Sequence, residues 1–160
     1  MANSILIPNV AKIRHMTALL LGGYSPIDGQ CTLHYFANNF SLTSKTVLSD
    51  FVEISLAGYS PILLTGAVNL GIVPGDVDQW TWPLCYTTAA STPTFPVTAQ
   101  GYWVTSNDDG ALLWCQSFDL PFTWAVQGDT FIFEPALEGG QIPLPVFRAT
   151  YNVGRSRSAA

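Results

Sequence analysis

The sequence predicts a mainly β protein, an antiparallel β-sandwich or jelly roll with a short N-terminal helix or arm. Three observations predict it. Aromatic-rich, alternating runs recur about every 8 to 12 residues, Gly, Pro, Asn and Asp clusters separate them, and no long stretch of the main body keeps a helical period.

The first element is the exception. Pro8 and Asn9 can open a helix in which Val10, Ile13, Met16, Thr17 and Leu20 share one face, until Gly22 and Gly23 end it. Its apolar run, 18–21, is too short for a secretory signal or a membrane span, so neither export nor membrane insertion is expected. The run 31–36 alternates and reads as the first strand of the main domain, closed by Asn38 and Asn39. Over 43–51, Ser44 can cap a short helix with Val47, Leu48 and Phe51 on one face and Asp50 outward. Strands are expected over 53–56 and 62–65, around a corner at Gly58, Tyr59, Ser60 and Pro61.

From 71 to 100 the chain is rich in Gly, Pro, Thr and Trp, so strands there must be short. A hairpin is the clearest local signal: 102–105 and 111–118 flank Ser106, Asn107, Asp108, Asp109 and Gly110, and an Asp-Gly pair tolerates positive φ. A second pair, 124–126 with 131–134, brackets Gln127, Gly128 and Asp129, and 146–151 supplies a final strand. The domain plan is an arm or short helix over 1–25, a sandwich over 26–151 and a flexible basic tail over 152–160.

Charged residues make up only 11% of the chain, against about 25% in typical soluble proteins. A net charge of -5 argues against a nucleic-acid binder, because phosphate backbones would be repelled. Cys31, Cys85 and Cys115 are too dispersed for a metal-binding CxxC pair and too few for a disulfide framework, so all three are expected as buried thiols in a protein assembled in the cytosol.

Catalytic chemistry is hard to find. His15 and His34 show no metal-ligand spacing, and the neighbouring carboxylates Asp50 with Glu53, Asp76 with Asp78, and Asp108 with Asp109 sit at a helix end, a loop and a turn. No phosphate loop, nucleophile elbow or redox motif occurs, and no cofactor or metal is expected. Five Trp, six Tyr and nine Phe remain. Trp80, Trp82, Tyr86 and Phe95 fall in loop-rich sequence, where they can either cap the core or stack on a sugar or a partner.

No charged residue occurs between Glu53 and Asp76, or from Trp80 to Asn107. Faces buried against another copy are depleted in charge and enriched in aromatics, so these segments point to an assembly subunit, a symmetric homo-oligomer. Lys12 and Arg14 near the start and Arg155 and Arg157 near the end are candidates for contacts made by terminal arms.

The order of several motifs resembles that of small structural proteins of tailed bacteriophages. They are Ile7, Pro8, Asn9; the strand 33–39; Leu48, Ser49, Asp50, Phe51, Val52, Glu53 running to Gly58 and Tyr59; Gly101, Tyr102, Trp103, Val104; Leu112, Leu113, Trp114; and Gly128, Asp129, Thr130. Residues 72–98 have no counterpart. The resemblance implies a non-enzymatic virion component assembled in the host cytoplasm. It further implies a capsid cement or decoration protein that binds the major capsid protein or another virion protein as a trimer. The Trp-rich middle keeps open a tail or fibre component, or a carbohydrate- or receptor-binding module.

Overall fold

β1 (Cys31–Phe36) alternates as expected, sending Cys31, Leu33 and Tyr35 into one core while Thr32 and His34 stay half-buried on the other face. The computed structural model describes residues 31–65, 68–73, 77–139, 147–148 and 154–156, with the backbone course alone at 68–73, 77–81, 136–139, 147–148 and 154–156. The N-terminal helix and the arm over 1–25 lie outside the described residues, as do Lys12, Arg14 and Arg157.

The strands that follow are β2 (Ile62–Leu64), β3 (Val68–Val73), β4 (Val77–Thr81), β5 (Cys85–Thr88), β6 (Val97–Ser106) and β7 (Leu112–Trp124). β8 (Thr130–Phe133), β9 (Ala136–Gly139), β10 (Phe147–Arg148) and β11 (Gly154–Ser156) complete the order. Among the described residues all pairings are antiparallel, in three sheets ordered β2-β1-β6-β7, β10-β9-β4-β3 and β11-β8-β5. The first and third sheets face each other as a β-sandwich. Tyr35 of β1 meets Phe131 of β8 at 5.5 Å between ring centroids, and Tyr102 of β6 meets Phe133 at 5.0 Å.

The second and third sheets share one ribbon. β4 pairs with β9 and β5 with β8, and between them the Trp82 amide donates to the Pro135 carbonyl at 3.0 Å. Proline lacks the amide hydrogen a ladder needs, so Pro83 and Pro135 interrupt both strands at one level.

The 106–111 hairpin forms as expected, with Gly110 at φ 69° and the Ser106 amide donating to the Ala111 carbonyl. Its strands are longer than the sequence suggests. β7 carries an excursion in which Ala99 pairs with Phe122 and Gly101 with Ser117, so Asp119, Leu120 and Pro121 bulge outward between the buried Phe118 and Phe122. Gly101 is required where β1, β6 and β7 run side by side, because a Cβ there would sit 2.2 Å from the Gln116 carbonyl oxygen and 2.6 Å from the Phe36 ring.

Three expectations are corrected. The segment 43–51 is not an amphipathic helix capped by Ser44 but a 3-10 turn, Leu48–Asp50, closed when the Val47 amide donates to Asp50 Oδ2 at 2.8 Å. Val47 and Leu48 face solvent there, and Phe51 alone of the three packs inward. Residues 53–56 form no strand. Glu53 makes one bridge to Phe36 and the Ile54 amide donates to the Tyr35 carbonyl, because β2 already occupies the other half of that edge of β1.

Residues 124 and 131–134 do not pair with each other either. The turn at Gln127, Gly128 and Asp129 carries the chain from the β7 sheet to the β8 sheet, so Trp124 and Phe131 meet across the core in a T-shaped contact at 5.9 Å. Within the expected tail, Gly154–Ser156 pairs with β8. A strand there lacks apolar anchors but gains the backbone hydrogen bonds of a sheet edge.

Cys31, Cys85 and Cys115 are buried and form no disulfide, as expected from their number and spacing. Burial pushes the Cys85 thiol up to about 11 and the Cys115 thiol to about 12.

Candidate interaction surface

The aromatic candidates separate into one interior and two exposed positions. Trp82 follows β4 and is only 3% exposed, its indole 6.0 Å from that of Trp114, so it caps the core. Tyr86 is 60% exposed and Phe95 is 77% exposed. Trp80 takes a register position in β4 opposite Asn69 and Leu137, and Arg155 one in β11 opposite Phe131.

Tyr86 is outward because β5 alternates, with Cys85 and Thr87 buried and Tyr86 and Thr88 exposed. Opposite them on β8 stand Ile132 and Thr130, and the hydroxyls of Thr88 and Thr130 lie 2.8 Å apart. Leu84 adds an exposed apolar side chain just before this row. The result is a sheet face of Leu84, Tyr86, Thr88, Thr130 and Ile132, with the half-buried Glu134 continuing the row after Ile132 as its single formal charge among the described residues.

Phe95 lies in the 89–96 segment that joins β5 to β6, beside a cleft of about 390 Å³ lined by residues 55–57 and 91–97. The walls are braced. The Ala90 amide donates to the Ala57 carbonyl at 2.8 Å, the Gln127 amide donates to Thr92 Oγ1 at 3.1 Å, and Gln127 Nε2 donates to the Ala90 carbonyl at 3.0 Å. Gly58, at φ 90°, allows this approach, since a Cβ there would sit 2.8 Å from that of Ala90.

A polar cluster on the opposite side of β1 was not anticipated from sequence. Glu53 Oε1 accepts hydrogen bonds from His34 Nδ1 and from the Tyr59 hydroxyl, both at 2.9 Å, and the Tyr35 amide donates to the Tyr59 oxygen. A carboxylate only accepts, so Nδ1 carries the hydrogen, and Nε2 shares a hydrogen bond with the Thr105 hydroxyl at 3.2 Å. Burial, above all, raises the Tyr59 phenol beyond its ordinary range, and the neighbouring Glu53 charge adds to the rise.

Hydroxyl, imidazole and carboxylate stand in the order used for acyl transfer. Thr105, however, lies within β6, opposite Thr32 and Leu112, rather than on a sharp turn that would present it to a substrate. The cluster fastens the chain at Glu53 to β1 and β6. Beside it Phe36, Trp103, Leu112 and Cys115 form a second small core, covered by Phe40, Leu42 and Phe51.

Among the described residues, no group of three or more His, Cys, Asp or Glu is placed to hold a metal ion. No protein-family model, curated protein or solved structure matches this chain.

Proposed function

We propose that the protein is a non-enzymatic structural subunit that works in an assembly of its own copies. The observation that carries this reading is the charge-poor outer face around Tyr86, where Leu84 and Tyr86 are exposed beside Thr88, Thr130 and Ile132 and Glu134 stands at one end. Isolated exposed apolar residues are ordinary, but an exposed tyrosine and leucine beside threonine and isoleucine on a charge-poor sheet face have the composition of an interface core. A standard specific interface buries about 1,600 Å² in total, and closed symmetry repeats it around the ring.

The finer reading is a virion component of a tailed phage, a cement or decoration protein that stabilises the head shell. It is supported by the motif order from Ile7 to Thr130 and by the scarcity of charge. Sedimentation equilibrium on the full chain tests the assembly: a discrete oligomer, with a trimer expected, should shift to monomer in Tyr86→Glu. A monomer at about millimolar concentration overturns it. Imaging particles with a label on this protein tests the position. Signal on the shell, with loss of the protein lowering the temperature at which shells open, supports the cement role; signal on the tail replaces it with a tail or fibre role.

A further inference from the structure

Phe95 stands apart from the other aromatic side chains of the sandwich. Tyr35, Tyr102, Phe118, Phe122, Trp124, Phe131 and Phe133 are interlocked in the core, whereas Phe95 is 77% exposed and touches no other ring among the described residues. Exposing a phenyl ring to water is unfavourable, and flexible loops usually fold such a ring inward. Here Pro93 and Pro96 flank it, and the hydrogen bonds from Gln127 to Thr92 and Ala90 hold the segment in place. The ring is therefore presented by a fixed wall.

The remaining lining has a consistent chemistry. Ser55, Ser91 and Thr94 bring hydroxyls that make no hydrogen bond within the described residues, and Thr92 keeps its donor after accepting from the Gln127 amide. Leu56 is buried and closes the cleft from below with Val97. No lining residue is charged, and the whole chain is acidic, so an anionic ligand finds neither a cation nor a favourable field.

A ligand that suits this lining must be neutral, must offer many hydroxyls and must carry an apolar face for the ring. Sugars have that composition: their axial C–H groups form a flat apolar face and their equatorial hydroxyls both donate and accept. An aromatic ring contributes through burial and its polarised face, and hydroxyl side chains fix orientation. A volume of about 390 Å³ is near the lower end of small-molecule sites, enough for a short saccharide.

We infer that the cleft between residues 55–57 and 91–97 binds a neutral saccharide, with Phe95 as the stacking platform and Ser55, Ser91, Thr92 and Thr94 as hydrogen-bonding groups. The inference does not rest on assembly, because Tyr86 and its neighbours are not among the lining residues.

Isothermal titration of the full chain with maltohexaose, cellohexaose, fully N-acetylated chitohexaose and mannohexaose, and with polygalacturonate as the anionic comparison, tests it. At least one neutral oligosaccharide should bind with a dissociation constant of about 0.1–1 mM, and polygalacturonate should not. Phe95→Ala should weaken binding about tenfold or more, Phe95→Trp should retain it, and Tyr86→Glu should leave it unchanged. Because the ring is exposed, Phe95→Ala should keep the wild-type melting temperature, which separates lost binding from lost folding. Absence of binding across the neutral panel, or binding indifferent to Phe95→Ala, overturns the inference. A self-association in sedimentation that Phe95→Ala abolishes assigns the cleft to a second copy and overturns it equally.

Discussion

The imidazole of His34 lies flat against the indole of Trp103, with ring centroids 4.8 Å apart and planes within 6°. Trp103 stacks on Phe51 as well, at 4.8 Å and 17°. One indole thus ties β1 to the segment that crosses the outer face of its sheet, and the His34 to Glu53 hydrogen bond closes the same tie from the side. Removing the imidazole loses a stacked contact and two hydrogen bonds, so His34→Ala should cost about 1–3 kcal/mol in urea unfolding. Glu53→Gln should cost less, because the amide oxygen can still accept from His34 and Tyr59. A double-mutant cycle giving no coupling between the two positions would refute the tie.

Two buried phenols should respond oppositely to loss of the hydroxyl. The Tyr35 oxygen is enclosed without a hydrogen-bond partner among the described residues, Thr87 lying beside it outside good geometry, and burial first of all raises its ionisation far above the ordinary range. The Tyr102 hydroxyl donates to Gln116 Oε1 at 2.9 Å inside the core. Tyr35→Phe should leave stability unchanged or raise it by about 1 kcal/mol, whereas Tyr102→Phe should lower it by about 1–2 kcal/mol. Urea midpoints of the two variants decide this.

Trp82 and Tyr86 are four residues apart and should separate folding from association. Trp82→Ala opens a cavity against Trp114 and should cost about 3–5 kcal/mol. Tyr86→Ala should stay within about 0.5 kcal/mol of wild type in a dilute monomer and lower the association constant instead. Calorimetry and sedimentation on both variants make the comparison.

The thiols make stability fall at alkaline pH. Cys85 and Cys115 stay protonated in the fold up to about 11 and about 12, while an unfolded cysteine ionises near the usual value of 9.0. Their contribution is therefore full below about pH 8.5 and is lost as pH rises through the folded values. Tyr35 and Tyr59, whose ionisation is also raised, add a loss in the same direction above about pH 10. Cys85 alone accounts for a change on the order of 3 kcal/mol. Urea unfolding at pH 7.5 and at about pH 9–10 should show the drop, and replacing both cysteines by Ala should remove it there while leaving the tyrosine part above about pH 10. An aromatic disulfide reagent at pH 8 should label none of the three thiols until the chain is unfolded.

β1 and the Asp109-Gly110 hairpin could be read from sequence because alternation and turn chemistry are local. The turn at Gln127, Gly128 and Asp129 has similar local chemistry, yet it moves the chain between sheets, and only the facing of Trp124 and Phe131 across the core decides that. His34, Glu53 and Thr105 are 19 and 71 residues apart in their two contacts, so no sequence window could assemble them. Trp82 and Phe95 look alike in sequence, each an aromatic beside proline. Their difference in exposure comes from the strand ladder that carries Trp82 into the core and from the hydrogen-bonded segment that holds Phe95 out.

Because the ribbon is cut at Pro83 and Pro135 on the same rung, the portion beyond that rung is separable in design. Lengthening, shortening or exchanging it should not slip the strands that hold the interlocked rings. Evolution and engineering alike have a graft point there: a new tip could be spliced on while the body keeps its alignment.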